Sequence, residues 1–354
     1  MNIDGLEKGE EIVHKEGSIF ICSKDIKASL LYMQAAHIHI ETAPEDTHQL
    51  FAGAEATLTL SSPLHTKDTI TFCAPNICLQ EEVKSGKNMH LVGNISLEKN
   101  AGVLHSAQTL SIQGTVNGNA KVELLSSQGS IQTMGSMGNK KPFSSLYVKA
   151  QEWKVSKGKV VVADDIQIHA PTYLASHIES KGNVFFHEPV YIGEGKYHVF
   201  AKQPTGKVLF NKQIRAANKG LGELFVKAGE QITSQQSIGI SNFHKLRLQA
   251  KKIVLPDVGS LQQKGVHFLE VESPDIYLTG HYYHAPYQNW EGQELYASCS
   301  THWIAEENFA WIPSASSLKY IDAFNSNKLT AAPDTTLRIT CKNDLAIGYI
   351  FHPT

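Results

Sequence analysis

The 354-residue chain holds no uninterrupted apolar run that approaches the roughly 18 residues of a membrane-spanning helix, so no membrane span is expected. Its first residues, MNIDGLEKGEEIVHKEG, are acidic and lack the basic start and apolar stretch of a secretory signal. Three localisations stay open: the protein remains in the cytosol, it leaves by a route that reads no N-terminal signal, or it is a cell-surface or extracellular protein whose leader is not in this sequence. Charge is also scarce. Only 19% of residues are charged and they balance to −2, so the basic footprint of a nucleic-acid binder is missing and no nucleic-acid partner is expected. Five scattered cysteines, Cys22, Cys73, Cys78, Cys299 and Cys341, argue against a disulfide framework and are expected to be reduced and mostly buried. Cys73 and Cys78 lack the two-plus-two spacing of a zinc ribbon. No Gly-rich phosphate loop follows a strand and no Gly-x-Ser-x-Gly elbow occurs, which sets aside nucleotide and nucleophilic chemistry; no cofactor is expected.

What the chain does contain is a period. LRLQAKKIVL from Leu246 alternates apolar and polar residues, stops at Ala250 and starts again, and LFVKAGEQIT from Leu224 and FLEVESPDIYL from Phe268 match it. The small residues Ala228, Ala250 and Ser273 fall 22 and 23 residues apart, and Ile232, Ile253 and Ile276 fall 21 and 23 apart. Upstream, IHI, LTL, ICL and ISL begin at Ile38, Leu58, Ile77 and Ile95, in steps of 20, 19 and 18. LYVKA from Leu146, IQIHA from Ile166 and LRITC from Leu337 are further copies. A unit of roughly 20 residues with two short alternating strands is one rung of a β-solenoid, in which each coil pairs with the next and alternate side chains fill a narrow interior. Leu246, Leu248, Ile253 and Leu255 are then stacked core positions, and Lys227, Arg247, Gln249 and Lys251 face solvent.

The period predicts an all-β chain, one domain, organised as an N-terminal arm or cap at 1–18 and a β-solenoid at 19–280. MGSMGNKKPFSS at 134–145, rich in Gly, Ser and Lys, is expected to be an exposed loop in the stack. An irregular, aromatic-rich segment at 281–330 and a final coil at 331–354 complete the expectation. Tyr277, Tyr282, Tyr283, Tyr287, Trp290, Tyr296, Trp303, Trp311 and Tyr320 crowd within 44 residues, a window with three of the four tryptophans.

In its L-x-V-x-A…I-x-L rungs the chain resembles the β-helices of filamentous haemagglutinin-like bacterial adhesins, over about residues 19–280 and again near Leu337–Ile347. The resemblance lies in the pattern of the repeat alone, because the NPNL and NPNG signatures of that family's secretion domain are absent, APNICL at Ala74 being the nearest sequence. It implies a right-handed parallel β-helix and a role in binding or display.

Candidate sites are few. Asp164 and Asp165 in VVVADDIQIHA are the best paired carboxylates for polysaccharide cleavage, and they share a site only on a corner, because neighbouring strand residues point to opposite faces. The bland alternative is a solvated turn. The Gly-His-Gly and Arg-x-Lys of polygalacturonases do not occur. His37 and His39, with Glu41 following, project from one face of a strand and could hold zinc, although a file of polar side chains on a solvated face gives the same pattern. His281 and His284 are weaker candidates. Tyr283, Tyr287 and Trp290 lie among Gly, Pro and Asn and are the candidate ligand-binding aromatics, against a cap role for Trp303 and Trp311.

Together these features lead us to expect a non-enzymatic interaction protein of bacterial or phage origin, adhesin-like or delivered, that presents a β-helix surface to a host or cell-surface glycan or protein. A polysaccharide-binding or polysaccharide-cleaving β-helix and a self-assembling structural subunit are the alternatives.

Overall fold

The computed structural model describes the backbone of residues 2–4, 12–15, 17–21, 27–44, 46–98, 101–218, 222–239, 243–292, 294–313, 328–331, 337–341 and 345–347, and within these the side chains from 17 to 310 other than at 27, 28, 46, 243 and 294. Much of the expected N-terminal arm, Cys22, Tyr320 and most of the expected final coil lie outside the described residues, as do the side chains of Trp311 and Cys341. The fold is all-β, with parallel strands stacked as a β-solenoid of about 20 residues per rung. Among the described residues no helix is long and apolar enough to cross a membrane. The chain divides into two compact units, Met1–Pro171 and Thr172–Thr354.

In the first unit one ladder runs through Lys27–Ile40, Asp46–Leu60, Ile70–Leu79 and Met89–Leu97, then through Leu110–Gln113, Ser130–Met134 and Glu152–Val162. A second runs through Leu64–Thr66, Val83–Ser85, Val103–Ser106, Lys121–Ser126, Ser145–Lys149 and Ile166–His169. Parallel register places Leu50, Ile70, Met89, Leu110, Ile131 and Trp153 in one interior column, each at most 2% exposed. Each large apolar side chain buried in such a column contributes about 1.5–3 kcal/mol. At the chain's start, Asn2–Asp4 pairs antiparallel with Leu30–Tyr32, and Ile12–Lys15 pairs antiparallel with Ser18–Ile21, which lies parallel on His37–Ile40. These strands cover the backbone edge that the first coil would otherwise expose.

The long strands bend midway, and the bends require glycine. Gly114 has φ +125°, and a Cβ there would lie 2.1 Å from the Gly93 carbonyl oxygen; Gly93 itself presses on Ala74 in the same way. In 134–145 only Asn139, Lys140 and Lys141 are exposed besides Met134, whereas Met137 and Phe143 are buried. Met137 bridges Val116 and Val160, so this stretch supplies one side of a rung.

In the second unit the main ladder runs through Thr172–Ser180, Gly195–Ala201, Gly222–Ala228, Phe243–Gln249, Val266–Glu272, Tyr287–Gly292 and Asn308–Pro313. Leu246, Leu248, Ile253 and Leu255 are at most 1% exposed, and the first three stack on Leu224, Val226 and Ile232 of the coil before. Ala228, Ala250 and Ser273 sit buried at the corner that follows, where the Ser273 hydroxyl lies within bonding distance of the Lys251 and Asp275 carbonyls, 3.0 and 2.8 Å. The ladder continues through the aromatic window. Tyr282–His284 pairs with Thr301–Ala305, and Lys328–Ala331, Leu337–Cys341 and Leu345–Ile347 extend the stack. One interior column reads Val190, Ile214, Ile238, Val258, Tyr283 and Trp303, aliphatic in its first four members and aromatic in its last two.

Candidate functional site

The aromatic candidates separate by depth. Tyr283 and Trp290 are 0% exposed, so neither offers a ring face to a ligand; they are core. The Tyr283 hydroxyl donates to the Leu255 carbonyl at 2.8 Å and accepts the Gly280 N–H at 3.1 Å, and burial pushes its ionisation well above the usual phenol range. Trp290 donates its ring N–H to Gln288 Oε1 at 3.1 Å, and Trp303 packs against both Tyr283 and Trp290. Gln288 replaces the leucines of the coils before it; its buried amide donates to the Tyr283 and Ile304 carbonyls at 2.9 and 2.8 Å. Tyr287 alone of the three keeps exposed surface.

Asp164 and Asp165 occupy the corner between Glu152–Val162 and Ile166–His169, where the Asp164 N–H donates to the Ser144 carbonyl. His37 and His39 lie two residues apart on the outer face: His37 Nδ1 is 2.6 Å from the Thr57 hydroxyl, and His39 stacks on Phe20 at 4.8 Å. Among the described residues no group of three His, Cys, Asp or Glu side chains is placed to hold a metal ion. His281 Nδ1 faces the Ser300 carbonyl, while His284 is buried between the Ser260 carbonyl and Glu306. The thiols are less buried than their number and scatter suggest. Cys73 is exposed, since it points outward from its strand; Cys78, also outward, meets Glu98 Oε1 at 3.3 Å, and burial and then that carboxylate raise its pKa to about 11.

The second unit gathers half-buried rings on the outer face of its main ladder. Register sets Lys245 against Phe268 and Phe268 against Tyr287, and in the neighbouring column Phe225, Arg247 and Glu270. Phe268 and Tyr287 stack at 4.7 Å, with the His267 ring edge-on to both. Phe200 stacks on His198 at 4.2 Å and meets Phe225 edge-on at 5.1 Å. The Arg247 guanidinium lies 4.9 Å over the Phe225 ring and reaches Glu272 at 3.3 Å; Lys245 pairs with Glu270 at 2.6 Å. The His267 imidazole is held below the usual histidine range, first by burial, then by Lys264 and His244, while Glu306 and Glu307 act in the opposite sense. Five strands at about 4.8 Å spacing make this face about 20 Å wide. No single sequence window announces it, because its members come from five coils; the signal is an outward aromatic on four of those five, Phe200, Phe225, Phe268 and Tyr287, with Lys245 and Arg247 on the fifth.

Comparison with known proteins returns no matching family model, no matching curated protein and no matching solved structure.

Proposed function

We propose that the protein is a non-enzymatic, adhesin-like binding protein whose second unit presents the face around Phe225, Arg247, Phe268 and Tyr287 to a cell-surface glycan or protein. The observation that carries this reading is the clustering of half-buried rings at outward positions, where a solvated strand face would carry polar side chains. Tyr and Arg dominate the energetics of binding surfaces because they bring large contact area with little entropy to lose. The ion pairs Lys245–Glu270 and Arg247–Glu272 tether the long side chains within this face, with the Arg247 guanidinium over the Phe225 ring. Exposed pairs of this kind add at most about 1 kcal/mol to stability, so shaping the face is the larger part of their effect.

The test uses labelled protein on a broad glycan array and on intact cells, beside Phe225→Ala and Tyr287→Ala. Binding by the parent that falls about tenfold or more in each variant, a loss of about 1.4 kcal/mol, supports the face as the site. Binding that persists unchanged in both variants sinks it.

A further inference from the structure

The first unit carries a second feature on its outer surface, independent of the face described above. Its short-strand ladder places His65, Lys84, His105, Leu125, Lys149 and His169 in a single outward column. Five of these six positions are basic, although directly opposed like charges destabilise a ladder. At about 4.8 Å per rung the column is about 24 Å long. Two carboxylates lie close to the column. Glu82 serves both His65 and Lys84, at 3.1 and 2.8 Å, and in the adjoining column Glu123 is engaged by Lys121 at 2.9 Å. Among the described residues Lys149 has no ion pair.

Beside the far half of the column runs a groove of about 390 Å³, lined by His105, Leu125, Ser127, Lys149, Gln151 and His169 among others. A lysine, two imidazoles, a hydroxyl, an amide and an apolar side chain thus meet in one groove, and the Tyr147 ring leans against His169 at 5.2 Å.

We propose that this column and groove bind a linear acidic saccharide, its carboxylate or sulfate groups meeting Lys149 and the imidazoles of His105 and His169, and its hydroxyls meeting Ser127 and Gln151. A saccharide fits better than a nucleic acid. A phosphate backbone needs a wide basic surface, and the chain has a net charge of −2 with its basic side chains here in one narrow file, beside Ser127 and Gln151 on one side. The His105 imidazole is held below the usual histidine range, first by burial and then by Lys84. The charged groups around it are Lys84 and Glu82 on the coil before, and Lys121 and Glu123 on the coil after. An anion in the groove offsets the Lys84 charge and favours the imidazolium, so affinity rises as the pH falls toward and below 6.5, the ordinary value.

Fluorescence polarisation tests this with labelled oligosaccharides from polygalacturonate (carboxylate), from heparin (sulfate) and from dextran (neutral), and with a single-stranded oligonucleotide, at low salt and at about pH 8 and about pH 6. The variants are Lys149→Gln, Lys149→Arg and, as a control on the second unit, Lys212→Gln, each checked for native circular dichroism. The expected result is binding of at least one acidic oligosaccharide, tighter at the lower pH, weakened about tenfold by Lys149→Gln, kept within about threefold by Lys149→Arg and untouched by Lys212→Gln. Which anion binds decides between carboxylate and sulfate. The proposal is overturned by no acidic oligosaccharide binding at either pH, by Lys149→Gln binding like the parent, or by an equal affinity for the oligonucleotide, which would mean generic attraction of polyanions.

Discussion

Tyr283 and Tyr287, four residues apart, meet opposite environments, and the difference lies in their hydroxyls. Tyr283 is buried with both a donor and an acceptor partner, so its removal leaves the Gly280 N–H without its acceptor. Tyr283→Phe is expected to cost about 1–3 kcal/mol in urea unfolding, and Tyr287→Phe less than about 0.5 kcal/mol. Backbone freedom matters as sharply at Gly114, where φ is +125° and the Gly93 carbonyl stands in the way of any Cβ. Gly114→Ala is expected to lose about 2 kcal/mol or more, read from the same unfolding curves. Cys78, raised to about 11 and hydrogen-bonded to Glu98, stays a thiol at neutral pH. Iodoacetamide followed by peptide mapping is expected to modify exposed Cys73 well before Cys78; the reverse order would contradict the Glu98 contact.

At the scale of the strand, alternation decides the cost of a change. Leu248→Ala opens a cavity in a stacked column and is expected to cost about 2–5 kcal/mol, whereas Arg247→Ala beside it costs about 1 kcal/mol or less. Equal losses in thermal or urea unfolding would refute the inward and outward assignment. The same alternation made the solenoid legible in the sequence: Leu246, Leu248, Ile253 and Leu255 occupy the interior positions that the repeat assigns them. It failed around Tyr283 because consecutive residues there, Tyr283, His284, Ala285 and Pro286, are all buried and a polar Gln288 takes a leucine's place, so the period of two is erased. Between 180 and 220 the period is stretched instead, with Val226 paired to Val199 at a separation of 27 residues. The aromatic face and the basic column were not readable for a different reason. His105 and Lys149 come together only through pairing of coils with unequal lengths, Leu104 to Leu124 and Leu124 to Val148, and no count along the chain gives that register.

For the molecule as a whole, acid acts in one direction. Asp68 is held below the carboxylate range by its hydrogen bond from Lys87, and Glu82 by that from Lys84, so the folded state binds fewer protons there than the unfolded chain. His105 and His267 are lowered chiefly by burial, so they too resist protons that the unfolded chain accepts. Each group therefore supports the fold at higher pH and withdraws that support as pH falls, the histidines below about 6.5 and the carboxylates below about 4.5 and 3.8. The urea midpoint is expected to drop in two stages between about pH 7 and pH 3, and a flat profile from about pH 7 to pH 5 would contradict the histidine assignment. In the first unit's column Leu50, Ile70, Met89, Leu110 and Ile131 are nearly interchangeable, and a chain built of them alone could slip by a whole coil with little change in volume; Trp153 at the end of that column prevents it. The second unit is constrained in the same way: a one-coil slip would press Trp303 into the space shaped for Tyr283 and Tyr283 into that of Val258. The large rings in these columns are thus alignment keys, and they fix the coils that carry them in order.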